Sequence, residues 1–387
     1  MARASLGRAP LVRFLRSPAE ERDRKSTRGR LPGPLNAVAE TAARKADSRV
    51  GLLVALLLAS AACQEPPLPG PVRLSFFAVG DTGAPPDESR RYAHQLAVAR
   101  AVASHDAERE AHALLLLGDN FYNHGLRSDE LLTRIRANLV KPWCRFVVLD
   151  GPRSTEVADA CALPAEARRP LPILVVLGNH DYRSDESPRL QREAVPRFVT
   201  NWTLPREVAG VVELADGVSL VLLDSQRVID GGRAYGLADA LRRAAGPWRV
   251  LVAHHPLAFA DAEKHRDEHA AYSAAVRAAI ERSGAPPQLV LSGHKHNLQL
   301  LALDAPARGL QVIAGGGSGA RSLYDAPTRL TASESRGYAR IDQVSGTGGE
   351  RLVASLYAVS GLLRPIVGER RLVGRASVAL DGSLDAD

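Results

Sequence analysis

Five short motifs bring carboxylate, imidazole, phenol and amide side chains into this chain at turns: Gly80-Asp81-Thr82-Gly83, Gly118-Asp119-Asn120-Phe121-Tyr122, Gly178-Asn179-His180-Asp181, Ala253-His254-His255-Pro256 and Gly293-His294-Lys295-His296-Asn297. Each follows a run of β-forming residues. Singly, Gly-Asp and Gly-Asn pairs are ordinary turn residues, and a lone Gly-His-Lys-His reads as structural about as readily. In this order they supply two Asp, a Tyr, an Asn and several His, a donor set sufficient for two adjacent metal ions. A carboxylate has two oxygens, so Asp119 is the natural bridge. Asp81 and the imidazoles complete the shells, and the Asn179 amide adds a neutral oxygen. Two cations about 3.5–4 Å apart can generate a hydroxide and clamp a phosphoryl group for in-line attack. His180, next to Asn179, is the candidate general acid for the leaving alkoxide. The chemistry these residues point to is metal-dependent hydrolysis of phosphate esters.

Such a site needs elements that end where the motifs begin. Short apolar runs alternate with longer amphipathic ones from Val72 onward. The expected strands are Arg73–Val79, Ala113–Leu117, Ile173–Leu177, Val218–Leu223, Arg249–Ala253, Leu289–Leu291 and Leu310–Ile313. The expected helices are Glu88–Ala107, Ser128–Ala137, Leu237–Ala245 and Ala262–Arg282. Two further strands, Arg351–Val359 and Leu372–Leu380, close the domain. Alternating strands and helices make an α/β protein, whose ligands gather at the carboxyl ends of strands.

The chain of 387 residues has a net charge of +7 and is 45% hydrophobic, enough for a sizeable core. Residues 1–62 hold twelve Arg and Lys against five Asp and Glu, so the whole excess lies there and residues 63–387 are formally neutral. That distribution excludes nucleic acid as a partner of the folded part. The charge-free run Val50 to Ala62 after Arg44, Lys45 and Arg49 is too short for the roughly 20 residues of a membrane-spanning helix. It suits the apolar region of a secretory signal peptide. Ser60-Ala61-Ala62-Cys63 resembles a bacterial lipoprotein processing site, with Ser60 where Leu is usual, so Cys63 is the expected lipid anchor. An ordinary signal peptide cut nearby is the alternative. Export places the protein in the periplasm or cell envelope, or outside the cell. Cys144 and Cys161 could then form a bridge. The expected organisation is a basic leader over 1–49 (with residues before Val38 read as a gene-model artefact), an apolar segment over 50–62, a Pro-rich exposed linker over 63–71, one domain over 72–380 and a tail over 381–387.

The five blocks together resemble the calcineurin-like metallophosphoesterases. Within them, the chain is most similar to the purple acid phosphatases, particularly the small tartrate-resistant form. Two details carry that likeness. Asp81 is followed by Thr82-Gly83, so the His of the usual Asp-x-His opening is missing. Tyr122 stands where purple acid phosphatases place a phenolate ligand, a hard anionic donor suited to Fe(III). The resemblance implies a four-layer α-β-β-α sandwich of two mixed sheets with flanking helices. It implies a first metal, Fe(III), on Asp81, Asp119, Tyr122 and His296. A second metal, Fe(II), Zn or Mn, takes Asp119, Asn179, His254 and His294. Lys295 departs from the acidic or neutral residue common between the two histidines and bears on substrate preference.

His124, His255 and His265 are candidate substrate contacts, each weighed against a structural role. His94, His105, His112 and His269 read as surface or helix residues. Gly315-Gly316-Gly317-Ser318-Gly319 follows a strand but precedes no helix, so it reads as a turn beside the cleft rather than a dinucleotide site. The expected activity is a phosphomonoesterase acting on small phosphate esters. The alternatives are a diesterase on the same site and a non-catalytic binding protein that retains the fold.

Overall fold

Runs such as Ala-Leu-Leu-Leu-Leu at 113–117 are apolar on both faces, which demands a strand covered on both sides. The computed structural model supplies that cover; it describes residues 65–258, 266–323, 328–346, 348–360 and 370–386. The strands, in chain order, are β1 (Val72–Val79), β2 (Ala113–Leu117), β3 (Ile173–Val176), β4 (Trp202–Thr203), β5 (Ala209–Glu213), β6 (Val218–Leu223), β7 (Trp248–Ala253), β8 (Leu289–Ser292), β9 (Leu298–Leu303), β10 (Gly309–Ala314), β11 (Arg329–Ser333), β12 (Gly337–Gly346), β13 (Gly349–Val359), β14 (Arg370–Ala379) and β15 (Leu384–Ala386).

They form two mixed sheets. One runs β15-β14-β13-β12-β1-β2-β3-β4 and the other β11-β9-β10-β8-β7-β6-β5. In each the motif-bearing strands are the parallel centre: β1 pairs β2 and β2 pairs β3 in parallel, as do β6 with β7 and β7 with β8. Antiparallel β12 and β5 border these runs on one side, and parallel β4 and β10 on the other. Between the sheets, Phe76, Ala78, Leu115 and Leu117 pack against Leu220, Leu222, Val250 and Leu291. Phe77, Leu114 and Leu116 point outward and meet Val98, Ala99 and Val102 of helix Ser89–Glu108. Val221, Leu223 and Leu251 meet Leu237, Ala240 and Leu241 of helix Leu237–Arg243 and Val276 and Ile280 of helix Arg266–Ser283. The expected four layers of helix, sheet, sheet and helix are present.

Four expectations need correction. The helix read over 128–137 is a single 3₁₀ turn, an α-helix over Leu131–Ile135 and a wider turn over Arg136–Val140. Its inward polar side chains explain the irregularity. Arg134 Nη2 donates to the Gly83 and Tyr122 carbonyls at 3.0 and 2.6 Å, and Asn138 Nδ2 to Ala84 O at 2.7 Å. Residues 384–386 are not a tail, because β15 pairs with β14. The end of the Pro-rich segment is docked, since Arg375 Nη1 donates to Pro66 O at 2.7 Å. Strands β5, β9, β11 and β12 are absent from the expected set, although turn residues such as Asp216-Gly217 after β5 and Gly346 at the end of β12 bound them. The Cys144–Cys161 bridge is formed. The apolar run over 50–62, Cys63 and the start of the helix read from Ala262 lie outside the described residues.

Candidate metal centre

The motif residues occupy tight turns whose backbones are laced together. Gly80 N donates to Ala314 O at 2.8 Å, Asp81 N to Gly118 O at 2.9 Å, Gly83 N to Asp119 O at 3.0 Å and Gly293 N to His254 O at 3.1 Å. Three of the turns hold a non-glycine residue in the left-handed region: Asp81 at φ 62°, Asp119 at φ 53° and His294 at φ 69°. Such residues cost on the order of 1–3 kcal/mol each and persist where surrounding structure over-determines them. The glycines in front of them serve close approach. A Cβ on Gly118 would stand 2.6 Å from His254 Nδ1, and one on Gly293 would stand 2.8 Å from Asp81 Oδ2.

Two donor groups result. In the first, Tyr122 Oη donates to Asp81 Oδ1 at 2.7 Å and lies 3.1 Å from His296 Nε2, which is itself 3.2 Å from Asp81 Oδ1. Donor atoms of Asp81, Asp119 and His296 all lie within 4.8 Å of one another. In the second, His254 Nε2 is 3.2 Å from Asn179 Oδ1, 3.3 Å from His294 Nδ1 and 3.5 Å from Asp119 Oδ1. His294 Nδ1 is 3.1 Å from the same amide oxygen. The other ring nitrogen of His254 donates to Leu117 O at 2.8 Å, so Nε2 presents its lone pair to these acceptors. Two imidazole nitrogens, an amide oxygen and a carboxylate oxygen thus converge within 3.5 Å of His254 Nε2 or of one another. A cation satisfies that arrangement, so the donors fit a metal.

The electrostatics of the groups are opposed. Burial raises the Asp81 carboxyl, but the imidazoles of His296 and His254 and the Tyr122 hydroxyl outweigh it and hold it below the usual range. Burial and the carboxylates of Asp119 and Asp81 push the Tyr122 phenol well up. Burial lowers His254, yet Asp119 and Asp81 raise it on balance. His294 is pushed well down by burial and by His255 and His254.

All seven expected ligands are therefore gathered at one place, with Asp119 between the two groups. His180 lies on the rim. Its backbone N donates to Asp119 Oδ1 at 2.9 Å, and its Nδ1 to Asn123 O at 2.8 Å, which turns Nε2 away from that bond. Burial lowers its imidazole, partly offset by Asp119. A cavity of about 730 Å³ opens over the site, lined by Asp119, Asn179, His180, His294, His296 and Arg321 among others. The three substrate candidates fare differently. His124 is exposed and does not line this cavity. His255 is buried, with Nδ1 2.8 Å from Ser225 Oγ, and joins His254 and His294 as a third imidazole. His265 lies outside the described residues. The glycine-rich turn after β10 does border the site: Gly317 N donates to Gly80 O at 3.1 Å.

Sequence reasoning missed Asp181. Fully buried, it accepts from the backbone N of Gly178, Asn120 and Phe121 at 2.9, 3.1 and 3.1 Å and from Gln191 Nε2 at 2.9 Å. It therefore ties the second motif to the third. Burial and the Asp119 charge push its carboxyl up to about 7. Its presence inside the third motif was the available signal.

The model of the calcineurin-like phosphoesterase family matches residues 74–298. Among solved structures, PhoD is similar, with a TM-score of 0.50 and 14% identity over 83% of this chain and 73% of that one. GAP50, the anchor in the inner membrane complex of Plasmodium, has a TM-score of 0.48 and 13% identity over 78% of this chain and 89% of that one. Purple acid phosphatase PPD1 from yellow lupin (Lupinus luteus) seeds has a TM-score of 0.44 and 13% identity over 76% of this chain and 52% of that one. At such identities the likeness is one of fold. Among curated proteins no sequence matches. The family match spans more than half of the chain and takes in every motif from Asp81 to His296, so this chain belongs to the calcineurin-like phosphoesterases.

Proposed function

We propose that the chain hydrolyses small phosphate monoesters at a binuclear metal centre, in the manner of a purple acid phosphatase. The observation that carries this reading is the convergence of the carboxylate–phenol group and the imidazole group on Asp119. Asp81, Asp119, Tyr122 and His296 would hold Fe(III), and Asp119, Asn179, His254 and His294 would hold Fe(II), Zn or Mn. Bound, the pair would supply Lewis acidity toward the phosphoryl oxygens and an activated water. The Asn123 carbonyl orients His180, whose imidazolium donates its Nε2 proton to the leaving oxygen. Asp181 holds the turns that carry Asp119 and Asn179 in register.

The same reading includes export. The Arg-flanked apolar run over 50–62 and the Cys144–Cys161 bridge support a lipid anchor at Cys63 or simple secretion. Among the described residues no helix is long and apolar enough to cross a membrane. Metal analysis of the purified protein, combined with rates on a panel of phosphomonoesters and diesters, tests the activity. Two metals per chain and faster monoester turnover are expected. Faster diester turnover would make it a diesterase, and metal binding without turnover a non-catalytic member of the family. Mass spectrometry of the mature N-terminus tests the anchor, for which an acylated Cys63 is expected.

A further inference from the structure

A second cavity, of about 470 Å³, adjoins the metal centre on the side of helix Ser89–Glu108. Arg90, Arg91, Arg321 and Arg336 line it together with His94. Tyr122, His180 and His296 form its inner wall, so it meets the first cavity across the expected general acid. No carboxylate is among its lining residues. Arg91 is the anchored member. Its guanidinium stacks 4.4 Å from the Tyr122 ring centroid and pairs with Glu88 Oε2 at 2.9 Å. Among the described residues no carboxylate pairs with Arg90, Arg321 or Arg336. Burial and the Arg90 charge lower Arg336, and burial followed by the Arg336 and Arg90 charges lowers the His94 imidazole.

With only Arg91 paired, the remaining like charges gathered at this concave site are held at a cost, which an anionic ligand would relieve. Guanidinium forks match the oxygens of a phosphate, and several around one cavity suit a dianion better than a carboxylate. Resting on the monoesterase reading above, we propose that this arginine cavity is a second phosphate subsite. The preferred substrates are then esters carrying two phosphoryl groups, one at the metal centre and one among Arg90, Arg91 and Arg336.

The test uses the metal-loaded full chain and a matched pair, glucose 6-phosphate and glucose 1,6-bisphosphate. The bisphosphate should have the higher kcat/KM. In Arg90→Gln/Arg336→Gln its advantage should fall by about tenfold or more, while the monophosphate rate changes at most about threefold, as expected for losing partly exposed charge-assisted contacts. Arg90→Gln alone, at an exposed position, should show a smaller loss of the same kind without risk to folding. Equal losses on both esters, or no preference in the wild type, would overturn the subsite. Calorimetry separates this inference from the activity itself: hexane-1,6-diphosphonate should bind more tightly than hexylphosphonate, and the double variant should erase the difference. That binding result stands even if neither ester is hydrolysed, an outcome that would sink the monoesterase reading alone. Equal binding of the two phosphonates would sink the subsite.

Discussion

The two halves of the metal centre are built from the same strand-end turn but carry different donors. Asp81, Asp119 and Tyr122 follow β1 and β2 of one sheet, whereas His254 and His294 follow β7 and β8 of the other. Neither half is complete within its own sheet. His296 crosses to the carboxylate–phenol group, where it meets Asp81 at 3.2 Å, and Asn179 crosses to the imidazole group, 3.2 Å from His254. One half attracts a cation by anionic charge, the other by neutral lone pairs, which predicts different metal preferences on the two sides. The site is complete only where the two sheets meet.

Breaking the shared residue gives the largest effect. Asp119→Ala should lose both metals and reduce hydrolysis to background, as measured by metal content and rate. Two metals per chain retained in that variant would mean the halves do not share it.

His180 lies on the rim, outside both halves. His180→Ala should keep both metals and slow unactivated esters by roughly 10²–10⁴-fold, the usual contribution of a general acid. Esters with good leaving groups should lose less. Equal losses on both kinds would assign His180 to binding.

Tyr122→Phe sharpens the comparison by removing one donor from the anionic half only. A visible phenolate-to-Fe(III) absorption should vanish in this variant while metal in the imidazole half stays. Loss of both metals together would show that the halves are not separable. Wild-type protein without such a band would argue against iron.

The smallest effect is the background from which the site is distinguished. His105, buried on helix Ser89–Glu108 with Nδ1 2.9 Å from Tyr338 Oη, is pushed down to about 2 by burial and by Arg370, Arg340 and Arg109. Above pH 6.5 it is neutral whether the chain is folded or not, and as pH falls only the unfolded chain takes up the proton. Its contribution to stability is therefore full above 6.5 and declines toward 2. Denaturant midpoints at pH 8 and pH 5 should differ less in His105→Gln than in the wild type, and an unchanged difference would exclude His105 as a source of the acid sensitivity.

Much of this was written in the sequence because local rules produce it. An apolar run ended by Gly-Asp states both that a strand stops and that a donor follows, so Ala113–Leu117 before Gly118-Asp119 is legible to the residue, while the resemblance assigns the seven donors to two metals. Strands β9 and β12 pair with their sequence neighbours β10 and β13, but the placing of β12 beside β1 comes only with the closed sheet. The inward turn of Arg134, the burial of Asp181 at the crossing of two motifs and the retreat of His255 onto Ser225 are likewise tertiary facts. So is the gathering of Arg90, Arg321 and Arg336, which lie more than two hundred residues apart at the extremes of that set. The sequence by itself determined which donors exist and that each sits at a strand end. Only the tertiary structure decided which donors face one another, because the distances between atoms from different sheets depend on how the two layers pack.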